Sequence, residues 1–242
     1  MLYDTCYLCL MFLVYSVLGY LIEITYCSYC TKKPVYNRGF LIGPYLPIYG
    51  SSVVLMYVLL YKYQKDPFVL FVMCCFICSV MEFITSLVLE KIFKVRWWDY
   101  SHIRFNLDGR ICLSNSVLFG LGGLLIFYIF NPLILPILNL MNKNLLITLT
   151  LILMDIFIID LIISIVVLVE LKISSLQFSK KDVSEELIEL RNKKLRRHSL
   201  LLKRLLNAFP KIEGDNKELI KDLKRKVNEL RKKIKENNKT TK

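Results

Sequence analysis

Leu145-Leu-Ile-Thr-Leu-Thr-Leu-Ile-Leu-Met-Asp155-Ile-Phe-Ile-Ile-Asp160-Leu-Ile-Ile-Ser-Ile-Val-Val-Leu-Val169 runs for 25 residues without a Lys, Arg, Gly or Pro. A helix needs about 20 residues to cross a hydrocarbon core of ~30 Å, and nothing in this run breaks one, so it predicts a membrane span. Its two acids set it apart from a plain lipid anchor. An acid at mid-membrane usually faces a cavity or a partner.

Outward from this run the pattern recurs. Stretches at 7–27, 44–62, 68–90 and 111–130 are long and apolar enough to make five spans in all. Composition agrees. The 242 residues are 55% hydrophobic, with mean hydropathy +0.47, yet 22% are charged, whereas soluble domains are about 45–50% apolar. The charges are segregated: residues 170–242 hold 22 of the 33 Lys and Arg and 11 of the 20 Asp and Glu. The chain divides into a transmembrane domain with structured cytoplasmic loops at 1–172 and a basic tail at 173–242. A soluble enzyme, a disordered chain and a disulfide-stapled secreted domain are excluded. The first span is not expected to be a cleaved signal, because Asp4 stands where a basic region belongs and no small-residue cleavage site precedes Glu23.

Basic residues orient the bundle. Loop 28–43 has three, loop 91–110 has five and the tail has 22, against Lys62, Lys65 and Lys143 on the other side. The positive-inside rule then places the N-terminus outside and the C-terminus in the cytoplasm. Segment 131–143 is apolar but short and carries Pro132 and Pro136, which predicts an outer interfacial piece. In the tail, Asp182-Val-Ser-Glu185 and Asp215-Asn-Lys-Glu218 are capping boxes. Pro210 and Gly214 separate two helical patterns, so a cytoplasmic helical hairpin is expected at 183–207 and 216–236. Its net charge suits anionic lipid or a cytosolic partner; with no aromatic interleaved, nucleic acid is not an expected partner.

Cysteine invites a metal reading. Eight cysteines include the pairs Cys6/Cys9, Cys27/Cys30 and Cys75/Cys78. Cys9 and Cys27 lie on one helix about 27 Å apart by helix rise, so their pairs cannot share an ion, and no His is near. Cysteine also packs as a small apolar residue. No metal and no cofactor are expected. Cys6, near the outer end, is expected to react with an impermeant thiol reagent.

The acids inside spans are the costly residues. Glu23 and Glu82 each precede a cytoplasmic Lys by nine residues and Asp160 precedes Lys172 by twelve. Helix rise puts them about 13 Å and 18 Å inside that face. Apart from Lys62 at the outer end of 44–62, no span contains a Lys or Arg, so a counter-charge must come from a loop, from Arg38, Arg96, Arg104 or Arg110. The alternative is that each acid is protonated or bonded to a neighbour. The loops are unusual. Gly39-Phe-Leu-Ile-Gly43-Pro44-Tyr-Leu-Pro47-Ile-Tyr-Gly50 packs five helix breakers into twelve residues. Such a break at membrane depth is tolerated where it is buried in protein or lines a cavity; alternatively one proline starts a helix. The second loop holds both tryptophans in Trp97-Trp98-Asp99-Tyr100, then Asn106-Leu-Asp-Gly109-Arg110. A lipid-interface belt explains the aromatics, whereas the interleaved polar residues suit a loop folded back on the bundle. The candidate site therefore comprises Glu23, Asn37, Arg38, Gly39, Gly43, Pro44, Pro47, Glu82, Trp97, Trp98, Asp99, Tyr100, Asn106, Gly109, Arg110 and Asp160. At an offset of 59 the two halves show a weak repeat, with Glu23 over Glu82 and Lys32 over Lys91.

The same residues carry a family resemblance. Tyr15-Ser-Val-Leu-Gly-Tyr-Leu-Ile-Glu23, the 37–50 segment, Arg96-Trp-Trp-Asp-Tyr-Ser101, Phe105-Asn-Leu-Asp-Gly-Arg-Ile-Cys-Leu113 and Leu205-Leu-Asn-Ala-Phe-Pro210 resemble the bacterial ABC-transporter type IV permeases over about 10–210. Ser51-Ser52 departs from the small-residue run usual there. The resemblance implies a multi-pass plasma-membrane permease subunit served by a separate ATPase, since the chain has no Gly-x-x-x-x-Gly-Lys-Ser/Thr loop of its own. Five spans are few for a pathway, which implies an oligomer. A non-catalytic membrane interaction or immunity protein is the alternative. An embedded enzyme acting on a lipid-linked substrate is a further one, disfavoured because no catalytic constellation is visible. Because the tail has its own caps, truncation after Lys172 is expected to leave an inserted, folded bundle while abolishing partner binding; membrane fractionation and capture of the partner read the two outcomes.

Overall fold

The computed structural model describes residues 1–32, 39, 41–93 and 96–178; the expected tail hairpin, together with Asn37 and Arg38, lies outside the described residues. The described chain is mainly helical: α1 (Leu2–Thr31), α2 (Pro47–Leu60) with a 3-10 turn at Tyr61–Tyr63, α3 (Pro67–Phe93), α4 (Leu113–Leu125), a π-helical turn at Ile126–Phe130, α5 (Asn131–Asn139) and α6 (Lys143–Phe178). Between α3 and α4 sits a small antiparallel hairpin, β1 (Asn106–Leu107) and β2 (Ile111–Cys112). Four helical stretches, Leu2–Tyr29, Pro67–Ile92, Leu113–Asn139 and Lys143–Val166, are long and apolar enough to cross a membrane. Their outer faces are apolar too. Leu118, Leu121, Leu125, Ile129, Leu133 and Ile137 form one exposed stripe, and Ile152, Ile156, Ile159 and Ile162 another. Soluble monomers rarely expose contiguous apolar patches of this kind.

Local chemistry explains the helix starts. Asp66 accepts hydrogen bonds from the amides of Phe68 and Val69, both at 3.1 Å, and Pro67 occupies the first turn where its missing N–H costs nothing. In the hairpin, Asp108 and Gly109 have φ of 53° and 63°, and the Arg110 amide closes the turn on the Leu107 carbonyl at 3.0 Å. Two successive left-handed residues make the tight turn that Asp-Gly favours.

The segment expected as an outer interfacial piece is helical. α5 continues α4 through the π-helical turn, with Pro132 in its first turn and Pro136 inside it. A proline removes an amide donor and crowds the carbonyl four residues back, and a widened turn just upstream accommodates that loss without ending the helix. Buried Asn131 holds this junction by accepting a 2.5 Å hydrogen bond from the Tyr15 hydroxyl.

The stretch expected as a span at 44–62 is a helix of only 14 residues, about 21 Å by helix rise. Its lead-in, 41–46, is non-helical and packs on the bundle through Leu41. Leu41 is 1% exposed and packs with Leu13 and Phe157. The Leu46 amide donates to the Ser16 carbonyl at 2.9 Å, near the middle of α1. Non-helical backbone therefore reaches the middle of α1, and α2 begins there.

Small residues let the helices meet. Gly50 of α2 lies against the Phe12 carbonyl and Ser16 side chain, and Gly19 of α1 against Tyr49. Gly120 and Gly123 of α4 lie against Phe71, Cys75 and Cys74 of α3. Glycine contacts of this type are how membrane helices gain close packing when lipid provides no hydrophobic drive. Met11, Tyr15, Val53, Met56, Leu60, Leu70, Ile77 and Phe127 fill the space between these pairs. Cys6, Cys9, Cys74, Cys75, Cys78 and Cys112 are free thiols. Cys6 is 4% exposed, so the expected reaction with an impermeant reagent is corrected: its thiol packs with Leu10, Leu138 and Leu146. These contacts belong to the first of two units, Met1–Ile162; of the second, Ile163–Lys242, the structure describes only the last turns of α6.

Gly50 and Gly122 give a controlled comparison. A Cβ at Gly50 overlaps the Phe12 carbonyl, while a Cβ at Gly122 meets nothing within 4 Å. Gly50→Ala is expected to lose about 1–3 kcal/mol and Gly122→Ala to lose nothing, read as thermal unfolding in detergent.

Candidate functional site

Three polar groupings lie along the 41–46 and 96–112 connections and the helices they join. The first is the clamp on the non-helical 41–46 segment. Asp160 of α6, 8% exposed, accepts the Ile42 amide at 2.9 Å on one oxygen and the Gly43 amide at 2.7 Å on the other. It also accepts the Tyr45 hydroxyl. Backbone amides away from water must find acceptors, and a carboxylate taking two in succession is a strong, charge-assisted one. Gly43 lies so close under the Tyr45 ring that a side chain there would overlap it.

The second grouping is a pair of glutamates, each held by a tyrosine. Tyr49, at the start of α2, donates to Glu23 of α1 at 2.8 Å, and the Cys27 thiol reaches the other Glu23 oxygen at 3.4 Å. Tyr100, from the second loop, donates to Oε1 of Glu82 at 3.1 Å. Glu82 is 7% exposed, and its Oε2 is buried with no hydrogen-bond partner. Glu23 is near enough for its charge to act on Glu82, Tyr49 and Tyr100, so the four groups form one cluster. Burial, and then the adjacent Glu82 charge, push the Tyr100 phenol well above its ordinary range, which keeps it a neutral donor. An acid at mid-membrane costs about 2.5–3.5 kcal/mol on insertion scales, and the phenols offset only part of that.

The third grouping is an ion network at the end of α3. Arg110 meets Glu90 at 2.6 Å and Asp108 at 2.8 Å, and Arg96 meets the same two acids at 3.4 and 3.5 Å. Arg110 also donates to Ser86 at 3.3 Å. The Arg110 bond holds the Asp108 carboxyl below its usual range, so this link persists at neutral pH and weakens as pH falls through that lowered value. The Trp98 indole donates to the Arg110 carbonyl at 2.9 Å. Together these bonds fold the second loop back on the bundle.

The candidate residues thus separate. Glu23, Glu82 and Tyr100 come together. Gly43 lies on the Asp160 clamp beside Pro44, and Pro47 opens α2. Gly39, at φ 90°, packs against Leu46. Trp98, Asn106, Gly109 and Arg110 build the hairpin, in which Asn106 bonds the Gly109 amide at 3.0 Å and the Ile103 carbonyl at 2.7 Å. Asp99 accepts the Ser101 amide at 3.0 Å, and Trp97 enters the same loop. Of the loop arginines, Arg96 and Arg110 pair with Glu90 and Asp108 and not with Glu82, while Arg38 lies outside the described residues. Glu90 is eight residues nearer the helix end than Glu82, and Asp108 shares the Arg110 turn, so the guanidinium is satisfied without deeper burial. Tyr45, Tyr49 and Glu90 were absent from the candidates. The four-residue spacing of the two tyrosines inside the breaker-rich segment was the available signal. Among the described residues no metal-ligating cluster of three His, Cys, Asp or Glu occurs. An open groove of ≈ 590 Å³ beside Phe105, Leu113 and Leu118 is apolar and lined by no carboxylate.

A family model described as Putative ABC-transporter type IV matches residues 10–165, which takes in all three groupings. No curated protein and no solved structure matches the chain.

Asp160 and Glu82 are expected to respond differently to loss of charge. Asp160→Asn leaves the Ile42 or Gly43 amide without its acceptor and costs about 1–3 kcal/mol. Glu82→Gln keeps the oxygen that accepts from Tyr100 and costs less. Thermal unfolding of both variants in detergent checks the order.

Proposed function

The chain belongs to the ABC-transporter type IV family, and on that footing we propose that it is an integral membrane permease-like subunit working with a separate ATPase. It lies in the bacterial cytoplasmic membrane with five spans, N-terminus outside and C-terminus inside. The second span is a half-length helix completed by a re-entrant lead-in. Residues 1–172 form the membrane part and 173–242 the cytoplasmic tail, and two or more protomers, alike or with a second subunit, complete the passage. The observation that carries this reading is the polar break at mid-bundle: residues 41–46 leave the helix, Asp160 holds their amides, and Tyr49 at the following helix start reaches Glu23. Non-helical backbone at such depth is tolerated only in protein or against a cavity, and discontinuous helices often form substrate sites. An apolar anchor or scaffold has no use for these polar groups.

The cargo-handling residues are then Glu23, Glu82, Tyr49 and Tyr100. Gly39 and the 41–47 segment form the adjoining wall, and the loop built from Trp97, Trp98, Asp99, Asn106, Gly109 and Arg110 closes over it; Asn37 and Arg38, outside the described residues, are proposed to serve the same site. That loop is tied to the end of α3 by two arginines and two acids, so a push on it from an ATPase would be transmitted to the helix that carries Glu82.

Affinity capture of the detergent-solubilised protein is expected to bring down an ATPase whose turnover depends on this subunit, with Glu82→Gln abolishing transport at normal membrane levels. Lipid turnover by the protein alone would instead identify an enzyme. Leu2→Cys, at an exposed position, is expected to label with an impermeant maleimide in intact cells while a cysteine in the tail does not; the reverse pattern overturns the orientation.

A further inference from the structure

We infer that the open groove beside Phe105 is a binding site for one anionic phospholipid, with its acyl chain laid along α4 and its phosphate at Arg104. None of Glu23, Tyr49, Glu82 and Tyr100 lines this groove, so the site stands apart from the permease reading. The groove holds about 590 Å³, within the range of small-molecule sites. It forms where the second loop meets the start of α4: Ile103 and Phe105 come from the loop, Leu113, Val117 and Leu118 from the helix. Phe105 is 79% exposed and has φ 55°, a conformation that bulky residues rarely take. Its carbonyl accepts the Leu113 amide at 3.0 Å, which fixes the aromatic wall to the helix start.

The occupant is indicated by what continues from the groove. Leu113 is also the first residue of a helical stretch long and apolar enough to cross a membrane, so the groove opens at a membrane boundary. From Leu118 the exposed apolar stripe runs on through Leu121 and Leu125. Leu113 to Leu125 rises about 18 Å along the helix, and the hydrocarbon of one leaflet is about 15 Å deep, half of a ~30 Å core. A lipid chain therefore meets apolar side chains over the depth of its leaflet, with its headgroup at the loop. A soluble partner's segment cannot follow the stripe into hydrocarbon.

Charge selects the headgroup. Arg96 and Arg110 are both spent on Glu90 and Asp108. Arg104 lines the groove, is exposed, and makes no ion pair among the described residues. No carboxylate lines the groove to repel an anion. A guanidinium matches phosphate oxygens bidentately, and basic residues at a membrane surface favour anionic lipid. A zwitterionic headgroup brings the same phosphate but adds a cation that opposes Arg104.

The test uses the full chain in nanodiscs of phosphatidylglycerol or of phosphatidylcholine with the same acyl chains. Each is doped with its own analogue carrying a diazirine in the acyl chain, and peptide mass spectrometry locates the adducts after irradiation. Adduct at 111–118 is expected to be about fivefold greater with phosphatidylglycerol, the contribution of one basic residue at an anionic surface. The apolar stripe at 152–162 is expected to show no preference and reports ordinary bilayer contact. Arg104→Gln is expected to remove the preference while adducts remain. Leu118→Trp, which fills the groove, is expected to lower adduct at 111–117 with both lipids. Both positions are exposed, and size-exclusion profiles check that the variants stay folded. Equal adduct from the two lipids in the wild type overturns the inference, since that marks ordinary annular lipid. So does a preference that survives Arg104→Gln, or adduct at 152–162 with none at 111–118, which would show that another macromolecule, such as a second copy of the chain, covers the groove.

Discussion

The bond from Asp160 to the amides of Ile42 and Gly43 is the constraint on which the rest of the architecture hangs. Backbone that leaves a helix inside an apolar bundle exposes donors that lipid cannot satisfy. One carboxylate satisfies two of them, the Tyr45 hydroxyl adds a third bond, and the Ser16 carbonyl takes the Leu46 amide. With those bonds made, the chain can turn at mid-bundle and start α2 there. Without them, 41–46 would have to remain at the surface or become helix, and neither position brings Tyr49 to Glu23.

Close packing then fixes what the clamp permits. Gly50 and Gly19 let α2 lie directly on α1, and Gly120 and Gly123 let α4 lie on α3. Each helix pair delivers one Tyr–Glu bond to the same end of the bundle, Tyr49 to Glu23 and Tyr100 to Glu82. The weak repeat of Glu23 over Glu82 has this structural counterpart, although the tyrosines come from different settings, a helix start in one half and a loop in the other. Charge is handled by depth. Among the described residues, Arg96 and Arg110 meet acids near the helix end, at Glu90 and Asp108, while Tyr100 holds Glu82 and two amides and a phenol hold Asp160. That division follows from the cost of bringing a guanidinium into an apolar interior.

Much was legible in residues alone, and it was the part decided by local sums. Hydropathy over about 20 residues is additive, so the membrane class and the spans around 7–27, 68–90 and 145–169 followed from composition in a window. The inner acids were legible as outliers against that background. The hairpin at 106–112 had a local signal as well, Asp108-Gly109, whose left-handed turn needs no distant partner.

What only the tertiary structure decided are the choices between partners. Ile42 and Asp160 stand 118 positions apart, and nothing near either says that they meet. The length of α2 depended on that meeting, so an apolar count over 44–62 could not separate a full span from a half-length helix with a buried lead-in. Arg110 had several acids within plausible reach, and only the folded chain shows that it takes Glu90 and Asp108 and not Glu82. Pro132 and Pro136 predict a break from local rules, yet the π-helical turn and the Tyr15–Asn131 bond carry the helix through them. Hydrophobic burial is non-directional and adds up along the chain, whereas a hydrogen bond or ion pair is directional and exists only where folding delivers its second half.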